Sequence, residues 1–145
     1  MTSVAHQWLL LWAARKMTAD AYILAGFDGP TPQGGVWNAL PRPFELAHVR
    51  PDAWGVHVET CCIAAGEAKT AADLRTEHTR RQLCVLGRLR RRIGGDACRL
   101  YIAVPRSAAT ALDCALKAVG LLGARHVVRL HIPDCLVKEV PHGFE

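Results

Sequence analysis

The second half of the sequence alternates between short apolar runs and longer segments with helical periodicity. These runs and patterns follow one another at residues 63–69, 77–93, 99–104, 107–123 and 126–132. Gly94 and Gly95 follow the first helical pattern, and Gly123 closes the second, as is typical of helix C-termini. Strands separated by a helix of this length pair in parallel, because the crossover returns the chain to the same end of the sheet. The alternation therefore predicts a mixed sheet covered by helices.

The first half adds one helix and further strands to this sheet. Residues 3–18 have helical periodicity, with Ser3 as the N-cap. The predicted apolar face of this helix consists of Val4, Ala5, Trp8, Leu11 and Trp12. Further strands are predicted at 21–27, 44–49 and 54–58. A Gly/Pro-rich loop lies at about 26–43. With 145 residues, we predict one α/β domain over 1–145, with a mixed central sheet flanked by helices.

Charge and hydropathy restrict the partners of the chain. The formal net charge of +5 favours a polyanion such as nucleic acid. No run approaches the roughly 20 apolar residues that cross a membrane. The apolar run at 8–14 is short, and the basic residues Arg15 and Lys16 follow it, whereas in a secretory signal they come first. We therefore expect a cytoplasmic protein with no membrane segment.

The cysteines do not form a recognisable framework. Their spacing gives neither a CxxC pair nor the Cys/His pattern of a zinc finger. Reduced and mostly buried thiols are therefore expected in a cytoplasmic protein. A cysteine-based redox or zinc protein is the alternative. The six cysteines are Cys61, Cys62, Cys84, Cys98, Cys114 and Cys135.

The residues that indicate chemistry lie on two neighbouring predicted strands. Asp52 follows Arg50 and Pro51, and the triplet Glu67-Ala68-Lys69 ends the strand at 63–69. Alternate residues of a strand share a face, so Glu67 and Lys69 point the same way. If Asp52 begins the neighbouring strand, its carboxylate meets Glu67 across the sheet. Two carboxylates and the backbone carbonyl of Ala68 make an oxygen site suited to Mg²⁺ or Mn²⁺.

An alternative for the triplet is a plain salt bridge on an exposed strand. The apolar run at 63–66 favours a buried strand instead, where charges need partners or a metal. In that setting Lys69 orients a metal-activated water and stabilises the charge that develops on a phosphoryl group.

The predicted helix at 77–93 has two contrasting faces. One face carries Leu83, Leu86, Leu89 and Ile93, with Gln82 inside this stripe and His78 at its edge. Gln82 either orients the site or a phosphate, or is a first-turn glutamine in water. The opposite face carries the arginines. These arginines, together with His78, either contact a phosphate backbone or are simply solvated. These arginines are Arg80, Arg81, Arg88, Arg91 and Arg92.

Together, Asp52, the Glu67-Ala68-Lys69 triplet and the helix with Gln82 resemble the PD-(D/E)XK nuclease superfamily, which includes restriction endonucleases and Holliday-junction resolvases. The resemblance is best over 44–105. It implies a restriction-endonuclease-like αβββαβ core and a Mg²⁺ or Mn²⁺ cofactor. Asp52 and Glu67 would be metal ligands, and Lys69 the catalytic lysine, with Gln82 in the same site.

The chain departs from the family pattern at two points. Members often add an acidic residue from the first helix, but residues 2–19 contain neither Asp nor Glu, so that role is missing or passes to Gln7. Some members have a tyrosine after the glutamine of the second helix, and none follows Gln82 in the predicted helix.

The resulting functional prediction is a divalent-metal-dependent endonuclease that hydrolyses phosphodiester bonds of DNA. The chain is too short for a separate recognition domain, so we expect specificity to come from DNA structure, a homodimer or a larger protein complex. The alternative is a catalytically weak or inactive nuclease-fold module that binds nucleic acid within a larger complex.

Overall fold

A helix, a group of strands and then alternating helices and strands make up the computed structural model, which describes residues 3–32 and 35–137. The helices are α1 (Val4–Ala19), α2 (Glu77–Leu86) and α3 (Ala109–Ala118). The strands are β1 (Tyr22–Phe27), β2 (Ala53–His57), β3 (Ile63–Ala68), β4 (Arg99–Pro105) and β5 (Val127–Ile132). The order α1-β1-β2-β3-α2-β4-α3-β5 contains the predicted αβββαβ succession.

The strands form one mixed sheet in the spatial order β1-β2-β3-β4-β5. The pairs β1–β2 and β2–β3 are antiparallel, whereas β3–β4 and β4–β5 are parallel. The start of β2 therefore lies beside the carboxyl ends of β3 and β4. The predicted fold class, a single α/β domain with a mixed sheet between helices, is confirmed.

The two faces of the sheet are covered by different helices. Helix α1 packs on one face, where Met17 meets the small residues Ala64 and Ala68 of β3. Helices α2 and α3 cover the other face, where Leu83 and Leu112 pack on the apolar side chains of β4. Within the described ranges, no helix has the length and apolar character that a bilayer crossing requires.

The buried face of α1 differs from the predicted one. Val4 is exposed, and Ala5, Trp8 and Trp12 are only partly buried, while Leu11 is buried as expected. The face turned to the sheet carries Leu9, Leu10, Ala13, Ala14 and Met17. A Cβ at Gly66 of β3 would lie 3.0 Å from the Met17 sulfur. Helix and strand thus approach too closely for tryptophan, and the small and flexible residues face inward.

The predicted strand at 44–49 is wrong. Leu46 and Val49 exchange both backbone hydrogen bonds, at 2.7 and 2.8 Å, across a two-residue turn. The turn residues Ala47 and His48 have positive φ angles of 51° and 65°, the conformation of a type I′ turn. An extended run across these positions is therefore excluded.

The helix predicted at 77–93 ends early, at Leu86, with Gly87 as its C-cap. A Cβ on Gly87 would lie 2.7 Å from the Leu83 carbonyl oxygen and would also collide with a Leu121 methyl group, so this close approach favours glycine. Beyond it the chain forms a hairpin over residues 90–97, which Arg90 and Ala97 close and in which Gly94 and Gly95 adopt positive φ.

This early end removes part of the predicted arginine face. The prediction that Arg88, Arg91 and Arg92 lie on this face is wrong, because all three lie beyond the end of the helix. Ile93, predicted in the apolar stripe, is 84% exposed. Helix α3 is likewise shorter than the predicted 107–123, since it ends before Gly120 turns to positive φ.

All six cysteines are free thiols, as predicted, but most are not buried. Only Cys98 is buried; Cys61, Cys114 and Cys135 are exposed and the other two are intermediate. The expectation of mostly buried thiols is wrong because most of these residues lie in turns or on the outer sides of helices.

Candidate active site

The candidate site lies where β2 begins and β3 ends. Ala53 pairs with Gly66, so the preceding Asp52 stands opposite Glu67, as the sequence predicted. The Asp52 backbone N–H donates to the Gly66 carbonyl (3.1 Å), and the Ala68 N–H donates to Asp52 Oδ2 (2.8 Å). These two bonds fix the Asp52 carboxylate at the end of β3.

Glu67 is completely buried, and both of its carboxylate oxygens lack a hydrogen-bond partner within the described part of the chain. The cation closest to it is Lys69, whose Nζ lies 3.8 Å from Glu67 Oε2. Burial, and then the charge of Asp52, raise the pKa of Glu67 well above its ordinary value. A bare carboxylate is costly in such a place without a proton or a bound cation.

Lys69 and Gln82 complete the buried part of the site. The Lys69 backbone N–H donates to the Ala103 carbonyl (3.0 Å), which holds the residue against β4. Its Nζ donates to Gln82 Oε1, and the exposed fractions of the two residues are only 7% each. Gln82 therefore faces Lys69 from α2, and the reading of a first-turn glutamine in water does not hold.

His6 is a site residue that the sequence analysis missed. Its Nε2 lies 3.6 Å from Asp52 Oδ1. Ser3 caps α1 by accepting a hydrogen bond from the His6 backbone N–H, which fixes the first turn. Burial alone would lower the pKa of His6, but its interaction with the Asp52 carboxylate raises it overall. The pKa of Asp52, which burial would raise, is lowered mainly by His6. His6, which directly precedes Gln7, is thus the α1 residue that contacts Asp52.

Two further carboxylates surround the site. Asp28 directly follows β1, and its backbone N–H donates to the Asp52 carbonyl (2.8 Å). Its negative charge is one of the smaller causes that raise the pKa of Glu67. Asp73 follows β3 and accepts a hydrogen bond from the Thr70 N–H (3.0 Å). The sequence could have indicated Asp28, because this residue directly follows a predicted strand, and the antiparallel register of β1 and β2 places it beside Asp52.

The donor set fits a hard divalent cation. Asp52 and Glu67 supply carboxylate oxygens. The N–H and C=O of a strand residue point toward the same neighbouring strand. The Ala68 carbonyl therefore points to the same side as its N–H, which is the side of Asp52. No group of three or more His, Cys, Asp or Glu side chains in residues 3–32 and 35–137 is arranged to hold a metal ion. Mg²⁺ needs fewer, since it is bound through one or two carboxylates and keeps several waters.

The residues predicted to bind nucleic acid fall into two groups. His78, Arg80 and Arg81 lie on α2, where His78 is exposed and Arg80 pairs with Glu77 at 3.4 Å. Arg88, Arg91 and Arg92 lie between α2 and β4, in the segment that leads into the start of β4 at the end of the sheet opposite Glu67. The register shows this separation, because Arg99 pairs with Ala64 whereas Ile102 pairs with Glu67.

No protein-family model, curated protein or solved structure matches the chain. The resemblance to the PD-(D/E)XK superfamily therefore rests on the residues of the candidate site and stays a prediction. What the structure adds is the meeting of Asp52, Glu67, Lys69 and Gln82 at one end of the sheet.

The His6–Asp52 pair predicts a pH-dependent contribution to stability. The pKa of His6 is raised on folding, so this contribution is complete below the ordinary histidine pKa and is lost as the pH rises through the raised value. His6→Ala should therefore destabilise the protein more at pH 5.5 than at pH 8, by on the order of 1 kcal/mol. Urea unfolding in EDTA measures this difference. The exposed His78→Ala is the control, and a loss that is equal at both pH values would contradict the pair.

Proposed function

We propose that the protein is a divalent-metal-dependent nuclease that hydrolyses phosphodiester bonds of DNA. The observation that carries this proposal is Glu67. It is fully buried without a hydrogen-bond partner among the described residues, stands opposite Asp52, and has the Lys69 ammonium at 3.8 Å. A structural ion pair would be expected to satisfy its carboxylate oxygens. A buried carboxylate that is left open in this way beside a second carboxylate favours a cation-binding role.

Each residue of the site has a chemical task in this proposal. When bound, Mg²⁺ or Mn²⁺ polarises the phosphoryl group and lowers the pKa of a bound water. Asp52 and Glu67, with the Ala68 carbonyl, would hold the cation. Lys69 stabilises the negative charge that develops on the phosphoryl oxygens, and Gln82 keeps the ammonium in position.

The charge distribution supports a nucleic-acid substrate. The chain has a net charge of +5, so its overall field attracts polyanions. Arg80 and Arg81 lie on α2, the helix that also carries Gln82, so cationic side chains and a site residue share one element. Contacts from such residues to phosphates position a duplex without reading its sequence.

The test is a cleavage assay on supercoiled plasmid, linear duplex, branched and single-stranded DNA, with Mg²⁺, Mn²⁺, Ca²⁺ or EDTA. Wild type should cut at least one substrate with Mg²⁺ or Mn²⁺ and none in EDTA. Asp52→Asn should cut at least about 100-fold more slowly, because it weakens the cation site. Asp96→Asn, an exposed hairpin residue, is the charge-matched control and should keep full activity.

Two results would overturn the proposal. The first is cleavage that persists in EDTA, since the site would then not depend on a cation. The second is binding of DNA without cleavage under any metal condition, which is the behaviour of the non-catalytic nuclease-fold module.

A further inference from the structure

A second cationic region surrounds the end of the sheet opposite Glu67. Two concavities of about 400 Å³ each adjoin there, and Ala97 and His126 line both. We call this region the basic groove. Its basic lining residues are Arg88, Arg90, Arg99, Arg125, His57 and His126.

Separate segments of the chain bring these side chains together. Arg88 follows α2, Arg90 opens the hairpin 90–97, and Arg99 begins β4. Arg125 and His126 precede β5, and His57 ends β2. The groove therefore exists only because α2 stops at Leu86 and the chain turns across the end of the sheet.

The groove carries an excess of positive charge. No lining residue of either concavity is acidic. Among the described acidic residues, Asp20 lies 3.7 Å from Arg99, and Glu59 and Asp96 lie in the adjoining turn and hairpin. Arg125 is exposed and has no carboxylate within ion-pair distance in the described structure.

Backbone contacts hold two of the guanidinium groups in place. Arg88 donates to the Val119 carbonyl at 2.6 Å, and Arg90 donates to the Gly95 carbonyl at 3.1 Å. A guanidinium group has five N–H donors, so one such contact fixes its position and leaves donors for a ligand. Donors that are already positioned lose less conformational entropy when an anion binds.

We propose that the basic groove binds the sugar-phosphate backbone of a nucleic-acid segment away from the cleavage site. Its cations are spread along two adjoining concavities and do not converge on one point, which suits a chain of phosphates. The exposed lining residues are arginines, Gly120 and Thr60, so the groove lacks the exposed aromatic or aliphatic anchor of a protein interface. The proposal takes the class of ligand from the proposed function but does not require catalysis.

The groove and the candidate active site bind different segments of nucleic acid. Arg99 of the groove pairs with Ala64, which lies three residues before Glu67 in β3. Along the strands, the groove and the candidate active site are therefore separated by roughly 10 Å. The two sites also open at opposite ends of the strands. A phosphodiester at Glu67 therefore cannot also occupy the groove.

The test is binding of labelled duplex and single-stranded DNA in EDTA, followed by fluorescence anisotropy between 50 and 300 mM salt. Arg90→Gln/Arg125→Gln should weaken duplex binding roughly tenfold at 0.1 M salt. The slope of log affinity against log salt should become shallower by about 1.8 on duplex, or about 0.9 for each lost phosphate contact. Arg15→Gln/Arg42→Gln removes the same charge from exposed positions elsewhere and should keep both affinity and slope.

Three outcomes would overturn this proposal. One is wild-type affinity and slope in the groove variant, and another is an equal loss in both double variants, which would indicate net charge alone. The third is that the wild-type protein binds poly-glutamate but neither form of DNA, which would indicate that the ligand of the groove is an acidic protein. Because the assay contains no divalent ion, a failed cleavage assay with intact groove binding refutes only the proposed function.

Discussion

Glu67→Gln is expected to reduce metal-dependent cleavage at least about 100-fold and to stabilise the metal-free protein. The first effect follows because an amide is a poor ligand for a hard divalent cation. The second follows because the substitution removes a buried carboxylate whose oxygens lack hydrogen bonds in the described structure. A gain on the order of 1 kcal/mol would raise the melting temperature by about 3 °C.

The gain in stability should depend on pH. The pKa of Glu67 is higher in the folded than in the unfolded chain, so the wild type loses stability as the pH rises above the ordinary carboxyl value. Glu67→Gln lacks this loss, and its advantage should be larger at pH 8.5 than at pH 5.5. Glu59→Gln, an exposed residue, is the control. A variant that is destabilised at both pH values, or that still cleaves at the wild-type rate, would contradict this account.

Lys69→Met is expected to lower the rate of cleavage by about 100- to 1,000-fold while DNA binding in Ca²⁺ stays intact. Methionine keeps much of the volume of the side chain, so the core around β3 remains filled. What it removes is the ammonium 3.8 Å from Glu67 and its hydrogen bond to Gln82. Single-turnover rates with Mg²⁺ and anisotropy with Ca²⁺ separate the two effects.

Lys117→Met provides the matched control for this variant, since Lys117 is exposed on α3. It should keep the wild-type rate. If Lys69→Met cleaves as fast as Lys117→Met, the lysine has only a structural role beside Glu67. If it instead loses binding in Ca²⁺, its charge contributes to substrate affinity and the assigned role is wrong.

That Asp52 stands opposite Glu67 could be predicted, because it depends only on neighbouring segments of the sequence. A strand has a period of two residues, and β2 and β3 are joined by a short turn that sets their register. The mixed sheet covered by helices likewise followed from the alternation of helices and strands. These features depend on neighbouring segments, and a single sequence contains that information.

The features that the sequence did not predict depend on contacts between distant segments. His6 reaches Asp52 only because α1 crosses the sheet in one orientation. Helix α2 ends at Leu86, and the Gly87 that caps it packs against Leu121, which lies far along the chain. Arg88, which the sequence placed on a helix face, instead lines the basic groove, and Arg91 and Arg92 lie in the hairpin 90–97.

The packing of α1 on β3 and β4 has a consequence for synthesis on the ribosome. The leucines of α1 are made long before Tyr101 and Ala103, the β4 residues they pack with. At about 5–20 residues per second, translation leaves this helix without its partner strand for roughly 4–17 s. During that interval the part of the apolar face of α1 that β4 covers in the folded protein stays uncovered, and chaperones bind apolar surface of this kind.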